Sequence, residues 1–474
     1  MSFDKIGDLP FCMVIKIVCT LTIHPAYLLD LRIIQQTNNT MRKRLLFMFF
    51  AIVPLFLPLQ GCLLSTGQKT SNKKTTNSTS KPKAIATTRK RPSIAKPMTM
   101  LHRVIAKDER LHVFLQLNIP RLRNASNLIE MLQDVSLKYG VLPNYRSKEF
   151  IETQTLKLTP ETITKQGADF YYNFSIPKKT MPSAVMLIEA NDSKTGQRIT
   201  LDVPLEFVVN KIRQSFSIFD AQGKQPLFRN YFLNKASIQI KDLAGTNKTL
   251  LIKHYKHNFK AARPPMSLSR RNIKKKMEVD STFKVQTNTQ LNLKKPGLYI
   301  VQADTNQYYG ISFIVAEHRY PKFSKIVDLI DPLTYITTKG ELNKLKQSSE
   351  KKKDLDRLWL ELMSGNIKVA KRSIREYYRR VKLANKFFTT YKPGWKTDKG
   401  MVFIVFGNPT RVVRTRNKEM WTYAQSASFS DIHFTFLRNP NQFVDNHYTL
   451  VRYPEYEQVW YPKIEQWREG KIGS

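Results

Sequence analysis

Residues 394–410 read GWKTDKGMVFIVFGNPT, and this stretch determines how the C-terminal part of the chain is interpreted. A tryptophan and a Thr-Asp pair precede one apolar run, 401–406, and a Gly-Asn-Pro turn follows it. Short apolar runs bounded by turn signals are typical of buried strands. We therefore expect a strand at 401–406, with the large ring of Trp395 buried at its start as an anchor.

The polar residues of the stretch have an architectural and a catalytic interpretation. Asp398 can accept backbone N–H groups in an Asx-type turn, with Thr397 assisting and Gly400 free to adopt a positive φ angle. Gly407 and Pro409 then end the strand. A catalytic Asp398 needs a partner, but the sequence has no HExxH, GxSxG, P-loop or zinc spacing to supply one. The residues favour architecture, and we expect no catalytic residue, no metal site and no cofactor.

A helical pattern precedes the motif. Apolar residues recur there every three or four positions and so share one face of a helix. They are Ala370, Ile374, Tyr377, Val381, Ala384 and Phe388. The opposite face carries Arg372, Arg375, Arg379, Lys382 and Lys386. We expect the apolar face to pack on the sheet that follows.

Together these residues resemble the GWxTD domain, a family known chiefly from exported proteins of Bacteroidota-type bacteria. The similarity covers about residues 322–455. The matching positions are Gly394, Trp395, Thr397, Asp398, Gly400, Gly407, Pro409, Trp421 and Asn385. Asn408 and Thr410 stand where the family often has proline and aspartate. The resemblance implies a domain but no established activity.

Residues 100–320 contain the short alternating or apolar runs of β-strands. The clearest are 111–119, 169–176, 184–190, 199–209, 249–255 and 295–304. Their spacing predicts two all-β sandwiches, at 100–210 and 211–320. A Pro-Gly turn before Leu298 resembles the closing hairpin of immunoglobulin- or macroglobulin-like sandwiches. One helix-like patch, Ser126 to Tyr139, interrupts the first set of strands.

The predicted fold is therefore multidomain. Two immunoglobulin/macroglobulin-like sandwiches precede an α+β domain, with helices and a short antiparallel sheet, at residues 321–456. Residues 457–474 are expected to be a C-terminal tail.

The N-terminal region has the layout of a secretory signal at residues 41–62, MRKRLLFMFFAIVPLFLPLQGC. A basic cluster precedes the apolar run 45–59, which is too short to span a bilayer comfortably. Leu-Gln-Gly before Cys62 resembles the bacterial lipobox, although Gln60 replaces its usual small residue. The resemblance implies cleavage and lipidation at Cys62, and an uncleaved membrane anchor is the alternative.

Residues 1–40 lie upstream of this complete signal. We therefore predict that they are a gene-model extension, that translation starts at Met41, and that 41–61 are a lipoprotein signal peptide. Two of the three cysteines, Cys12 and Cys19, precede Met41. A mature chain would keep no pair of cysteines for a disulfide and no free thiol for a metal site or nucleophile.

Residues 62–99 follow as a basic, Ser/Thr/Lys/Pro-rich segment. Low hydrophobicity combined with high net charge cannot order such a backbone. We expect a flexible lipidated tether that reaches roughly 35 Å as a coil. It has no acidic run of the kind that resembles a surface-export signal, which favours the periplasmic face.

The net charge of +41 implies anionic partners. Beyond the inner membrane these are acidic proteins, anionic lipid or peptidoglycan rather than nucleic acid. The densest basic region is 253–276, which is either an anion- or partner-binding loop or a solvated insertion. Its cations are Lys253, Lys256, Lys260, Arg263, Arg270, Arg271, Lys274, Lys275 and Lys276. His254 and His257 have metal-like spacing only on a helix, and we expect neither to be a ligand.

These features favour a non-catalytic outer-membrane lipoprotein that faces the periplasm. It would be a scaffold or accessory subunit of a cell-envelope complex, such as a secretion or motility machine, bound to the membrane by its lipid and to an acidic protein partner. The alternative is an enzyme or binding protein acting on cell wall or glycan through Asp398 and the basic loop. A cytosolic nucleic-acid binder would require the signal to be false.

Overall fold

The computed structural model describes residues 97–124, 132–256, 258–268, 277–425 and 430–472. The predicted extension, signal peptide and nearly all of the tether, with Cys62, lie outside these residues. So do five cations of the basic loop: Arg270, Arg271, Lys274, Lys275 and Lys276. Within the described residues, no helix combines the length and apolar character that crossing a membrane needs.

The first sandwich, residues 99–206, consists of two antiparallel four-stranded sheets that share one core. The strands are β1 (Thr99–Lys107), β2 (Arg110–Asn118), β3 (Val135–Leu142), β4 (Glu152–Leu156), β5 (Ile163–Gln166), β6 (Asp169–Pro177), β7 (Ser183–Asp192) and β8 (Gln197–Glu206). Their orders are β1-β2-β6-β5 and β4-β3-β7-β8. The helix-like prediction for Ser126–Tyr139 is wrong from Val135 onward. Val135, Leu137 and Tyr139 are buried alternately with exposed neighbours, which is the period of a strand.

The second sandwich, residues 216–316, follows one short helix, α1 (Ile212–Ser215). Its strands are β9 (Phe216–Phe219), β10 (Tyr231–Leu233), β11 (Ser237–Asp242), β12 (Thr249–Tyr255), β13 (Ser281–Gln286), β14 (Gln290–Asn292), β15 (Gly297–Gln302) and β16 (Ile311–Ala316). Their sheet orders are β10-β16-β15-β12-β13 and β14-β11-β9, with a parallel pair only between β10 and β16 among the described strands. Ile252 and Val301 face the shared core, whereas Leu298 and Ile300 face Phe443 of the C-terminal part. The strands β15 and β16 of the larger sheet are therefore buried on both faces.

The C-terminal domain, residues 326–468, combines helices with one antiparallel sheet. Its elements are α2 (Ile326–Ile330), α3 (Lys339–Gln347), α4 (Lys351–Leu362), α5 (Ile367–Phe388), α6 (Asp398–Phe406), β17 (Arg411–Arg414), β18 (Lys418–Tyr423), β19 (Ile432–Arg438), β20 (Tyr448–Leu450) and α7 (Glu457–Arg468). The sheet order is β17-β18-β19-β20. The described chain is thus rich in antiparallel sheet and ends in an α+β part, as the sequence predicts in outline.

The strand predicted at 401–406 is wrong, because these residues belong to α6. The helix lies among α5, β20 and α7, so almost every side chain of the run is buried. A helix that is apolar on all sides has no periodicity to distinguish it from a buried strand. The apolar face of α5 accordingly packs on α6, where the sequence suggested a sheet.

The tail expected at 457–474 is also different in the structure. Residues 457–468 form α7, and Trp460, Ile464 and Trp467 on this helix belong to the core of the C-terminal domain. The Trp467 indole N–H donates to the Val405 carbonyl at the end of α6. This last helix is therefore part of the domain.

Candidate functional site

Asn385 at the end of α5 determines where the motif segment begins. Its side chain is fully buried, and its Oδ1 accepts the backbone N–H of Trp395 at 3.1 Å. Its Nδ2 donates to the Pro321 carbonyl at 3.2 Å. One amide thus joins the helix, the motif and the segment that enters the domain. Burial requires such partners, because an unsatisfied amide would destabilise the fold.

Gly394 lies directly against the backbone of α5. A Cβ there would overlap the Ala384 carbonyl, so only glycine permits this approach. The Gly394 N–H donates to Thr389 Oγ1 at 3.0 Å, and the same hydroxyl donates to the Asn385 carbonyl at 2.6 Å. Thr389 therefore satisfies both the helix end and the start of the motif.

Trp395 is buried as an anchor, as the sequence predicts, but the element that it anchors is the helix α6 and not a strand. Its ring is 4% exposed and lies edge-on to the Tyr335 ring, with centroids 6.2 Å apart. The Tyr335 hydroxyl donates to the Trp395 carbonyl at 2.8 Å. The aromatic contact and the hydrogen bond together hold the segment immediately before α6.

Thr397 and Gly400 start α6. Thr397 is the N-cap, and its Oγ1 accepts the Gly400 N–H at 3.0 Å while donating to the Gly394 carbonyl at 2.7 Å. Gly400 is required for close approach and not for a positive φ angle, since a Cβ there would overlap the Gly394 carbonyl. The motif is a helix start with its N-terminal donors satisfied.

Asp398 has no Asx-type turn of its own. Its Oδ2 accepts the Leu450 N–H of β20 at 2.8 Å, and its Oδ1 pairs with Arg452 Nη2 at 2.6 Å. Both partners lie more than fifty residues further along the chain. The carboxylate thus ties the first turn of α6 to the edge of the sheet, where a negative charge also suits the helix dipole.

The end of α6 is held by Arg380 of α5. Its guanidinium donates to the carbonyls of Ile404 and Val405 and lies over the Trp467 ring. Gly407, the C-cap, has φ of 86° and passes beside this guanidinium. Such a cation donates hydrogen bonds to the final carbonyls of a helix and interacts favourably with the negative end of the helix dipole.

Pro409 and Trp421 follow this cap. Pro409 lies in the connection from α6 to β17, and Trp421 on β18 packs against Phe388, with ring centroids 5.5 Å apart. All nine matching positions of the motif therefore lie around α5, α6 and the adjoining sheet.

Part of the basic loop covers the motif. We call residues 258–268, between β12 and β13, the cover segment. Asn258 accepts a hydrogen bond from Lys396 Nζ at 2.6 Å, and the Phe259 ring contacts Tyr391. The Arg263 carbonyl accepts from Arg452 at 3.2 Å. Ala261, Ala262 and Met266 pack against the core of the C-terminal domain. These contacts attach this half of the loop to the C-terminal domain, while the side chains of Lys260 and Arg263 remain exposed.

The other predicted cations of this loop that the structure describes differ in exposure. Lys253 is half-buried in β12, while Lys256 and Lys260 are exposed. His254 is buried, with Nδ1 2.9 Å from Asp280 and its ring stacked on Tyr299. It supports the sheet. No group of three or more His, Cys, Asp or Glu in the described ranges is placed to hold a metal.

A cavity of about 590 Å³ lies where the two sandwiches and the C-terminal domain meet. The first sandwich contributes His102 and Asp202, α1 contributes Arg213, and the second sandwich contributes Asn230 and Ser312. The C-terminal domain contributes Thr397, Lys399, Glu419 and His447. One wall therefore includes a motif residue. A concave site of this volume at a junction of domains is large enough for a small ligand.

Ion pairs across this cavity connect the domains. Lys399 lies 2.7 Å from Glu419 and 3.4 Å from the centre of the Tyr448 ring. Arg414 bridges Glu419 at 3.4 Å and Asp202 of the first sandwich at 3.3 Å. Burial acts to raise the pKa of Glu419, but Lys399 and Arg414 hold it below its ordinary value. The carboxylate is therefore ionised and already paired, which makes it a poor proton donor or base.

A second set of contacts joins the region of α1 and strand β16 to the loop before β20. Asp445 pairs with Arg213 at 2.7 Å and with Lys211 at 3.4 Å. The Ser312 hydroxyl donates to the Phe443 carbonyl at 2.8 Å. These contacts bring β16 and the C-terminal domain into one packed junction.

Two histidines of the cavity are kept neutral. Burial, together with Lys392 and Lys399, lowers the pKa of His447 to about 4. Burial and the neighbouring Arg103 lower the pKa of His102 to about 4. Neither forms a hydrogen-bonded pair with a carboxylate in the described structure, so the arrangement lacks the acid–base couple of a hydrolytic site.

Sequence reasoning missed Tyr335, Thr389, Arg380 and Arg452. These residues hold the motif from other elements, and no local spacing links them to it. Only Thr389 had a local signal, since it lies four residues after Asn385, just beyond the helix. The cavity likewise depends on contacts among three separate parts of the chain.

Residues 297–469 match the family model of the GWxTD domain. The match begins at β15 and ends one residue after α7, so it includes the last hairpin of the second sandwich as well as the C-terminal helix. It therefore extends beyond residues 322–455 at both ends. A comparison with curated proteins gave no match.

Proposed function

Since the chain is a GWxTD domain-containing protein, we propose that it is a non-catalytic lipoprotein of the outer membrane that faces the periplasm. Its role is that of a scaffold or accessory subunit in a cell-envelope complex, of which secretion and motility machines are examples. Cys62 carries the lipid, and residues 62–99 tether the body to the membrane. No enzyme family or catalytic motif is associated with the chain.

The observation that carries this proposal is the use of the motif's polar groups. Asn385, Thr397 and Asp398 each bond to the backbone or to a paired side chain inside the protein. A reacting group must instead face a substrate and be free to exchange a proton or electron pair. The motif therefore supports a role in building a rigid domain.

The junction of the three parts gives further support. Ion pairs such as Arg414–Asp202 and Arg213–Asp445 join them, and the cover segment packs on the motif. A body held together in this way can keep fixed distances between its binding surfaces, as a scaffold requires.

The proposal also includes the type of the two sandwiches. We regard both sandwiches as immunoglobulin- or macroglobulin-like. Two facing sheets around one core, and the β15–β16 hairpin that follows a Pro-Gly turn, support this assignment.

Mild crosslinking in cells, followed by purification of the native chain, tests the scaffold role. We expect a stoichiometric complex with other envelope proteins. A lone monomer after crosslinking would contradict the proposal.

Mass spectrometry of membrane-extracted protein tests the anchor. We expect no peptide from before Cys62 and a lipidated N-terminal peptide, with Cys62→Ser abolishing the modification. An abundant tryptic peptide from residues 1–40 would show that neither the predicted start nor the predicted cleavage is correct.

The basic loop is the expected contact for an acidic protein partner. Substitution of Lys274, Lys275 and Lys276 with Gln should weaken recovery of that partner without changing the melting temperature, and added salt should weaken it too. A partner retained under both conditions would indicate an apolar interface.

The alternative function is an enzyme or binding protein acting on cell wall or glycan. The cavity favours it, because the cavity has the volume of a small-ligand site and charged walls. Incubation of the purified chain with muropeptides decides between the two. We expect no conversion, whereas turnover by a lone monomer would establish the alternative.

A further inference from the structure

The outer face of α5 carries an unusually regular row of cations. We call it the cationic stripe: Lys368, Lys371, Arg372, Arg375, Arg379, Lys382 and Lys386. Successive members are mostly three or four residues apart, so at 3.6 residues per turn all seven fall within a sector of roughly 100°. From first to last the stripe extends roughly 27 Å. It is a straight row of positive charge on one side of the helix.

Most of this charge has no counter-charge among the residues that the structure describes. Glu376 is the one acidic residue in the sequence of α5, and it pairs with Arg379 and with the buried Arg380. Arg372 donates to the Gly470 carbonyl. In the described ranges, Lys368, Lys371, Arg375 and Lys382 form no ion pair. All four are exposed.

The neighbouring helix α4 shows that basic helices of this domain do not generally leave their cations unpaired. It begins with three consecutive lysines, yet Lys352 pairs with Asp356 and Lys353 pairs with Glu350. The basic start of α4 is therefore neutralised locally, whereas the stripe on α5 is left open.

The stripe contains no apolar anchor. Ile367 and Phe387 are exposed at the two ends of α5, but each lies roughly 100° around the helix axis from the midline of the stripe, outside its edges. The apolar face of α5 is used in the domain core. Protein interfaces are centred on buried aromatic and apolar residues. A row of cations that are exposed except for the half-buried Lys386, and that lacks such apolar residues, fits the headgroup layer of an anionic membrane.

We propose that the cationic stripe of α5 is a docking surface for the anionic headgroups of a phospholipid membrane. The proposal deepens the function above and rests on it, because a lipid tether would keep the stripe near a membrane at high effective concentration. The contact is electrostatic and involves no insertion of α5, whose apolar side is occupied by the core.

The test uses the full chain with Cys62→Ser, so that no acyl chain contributes. Co-sedimentation is measured with vesicles of phosphatidylcholine alone and of phosphatidylcholine mixed with phosphatidylglycerol. We expect binding to the mixed vesicles only, weakening as salt rises. Replacing Lys371, Arg375 and Lys382 with Gln should weaken binding about a hundredfold, at about fivefold for each cation near an anionic surface.

The matched control replaces Lys224, Lys235 and Lys294 with Gln. These lysines are exposed in the second sandwich, form no ion pair in the described structure, and give the same change in net charge. We expect little change in binding. An equal loss in both triple variants would overturn the proposal, because binding would then follow net charge. Equal binding of the parent chain to neutral vesicles would also overturn it.

Two further readouts keep the outcomes distinct. Gln is a good helix former, so far-UV circular dichroism should be unchanged. If the spectrum of the triple variant changes, vesicle binding is compared instead for the double variant K371Q/K382Q. The dependence of binding on phosphatidylglycerol content is then the second test of the proposal. Loss of a crosslinked protein partner with unchanged vesicle binding would assign the stripe to a protein and overturn the membrane proposal. Failure of Cys62 lipidation would refute the proposed function without altering vesicle binding by the non-lipidated chain.

Discussion

The motif segment, residues 394–400, and the cationic stripe of α5 lie on opposite sides of the same helix. In the motif segment, Thr397 and Asp398 bond within the chain, and both residues are buried. On the stripe, Lys368, Lys371 and Arg375 extend into solvent without a described ion pair. Polar groups with internal partners stabilise a fold, whereas exposed unpaired charges contribute little to it and are available to a partner. Stability and binding should therefore respond to different sets of substitutions.

The largest effect on stability is expected for Trp395→Ala. Removal of a buried ring that anchors α6 should lower the free energy of unfolding by about 3–5 kcal/mol. Urea denaturation followed by circular dichroism measures it. Phe387→Ala is the control, since this aromatic residue on α5 is 44% exposed, and it should cost less than about 1 kcal/mol. Equal costs would show that Trp395 is no anchor.

Asp398→Asn should have the next largest effect. The change leaves Arg452 without its carboxylate in a mostly buried pair, and we expect a loss of about 2–3 kcal/mol. If Asp398 only accepted hydrogen bonds in a turn within the motif, the substitution would lower the free energy of unfolding by only about 1–2 kcal/mol. Asp431→Asn, at an exposed position, is the matched control. Loss of biological function at an unchanged melting temperature would instead assign Asp398 a chemical role.

The cavity histidines should make stability depend on pH. His447 has a pKa of about 4 in the folded chain, against 6.5 for an ordinary histidine, so the unfolded chain binds the proton more readily. Above pH 6.5 both histidines are neutral in the folded and in the unfolded chain, so they do not reduce the free energy of unfolding. As the pH falls from 6.5 towards 4, the unfolded chain is protonated first, and the free energy of unfolding decreases. The contribution of His447 is on the order of 3 kcal/mol.

Melting temperatures between pH 7 and pH 4 (roughly the range of these two pKa values) measure this effect. His447→Gln should reduce the slope, and His102→Gln should reduce it further. A slope that survives both substitutions would assign the pH dependence to other groups.

The smallest effect on stability is expected on the stripe. Replacing Lys371, Arg375 and Lys382 with Gln should change the free energy of unfolding by less than about 0.5 kcal/mol, because none of the three forms an ion pair within the described part of the chain. A urea titration of this variant beside Trp395→Ala tests the contrast directly. A loss comparable to that of Trp395→Ala would mean that the stripe is structural.

Several parts of the fold could be read from local sequence. The predicted runs at 111–119 and 184–190 correspond to β2 and β7, because alternating burial leaves a period of two along the chain. The apolar stripe that includes Ala370, Tyr377 and Val381 is on the buried side of α5, as its helical period indicates. Each of these elements has one face towards a core and another towards solvent, so the spacing of its apolar residues indicates its type of secondary structure.

Other parts could not be read in this way. The run 401–406 is buried on every side, and its helix was signalled only by the N-cap Thr397 and by Asp398 in the first turn. The partner of Asp398 is Arg452, fifty-four residues further on. Local spacing contains no record of such contacts. The motif's residue types were therefore recognisable from sequence, while the groups that hold them were not.

The cover segment also determines the order in which the domain can be completed. It is synthesised before the motif, yet the hydrogen bond from Lys396 to Asn258 joins residues 138 positions apart, and that from Arg452 to Arg263 joins residues 189 positions apart. Contacts this distant in sequence require closure of long loops, which slows folding. The C-terminal domain therefore reaches its final packing only after nearly the whole chain has emerged. Until then, Ala261, Ala262 and Met266 lack the core that later buries them. A chain released before Arg452 would leave this apolar surface open to aggregation.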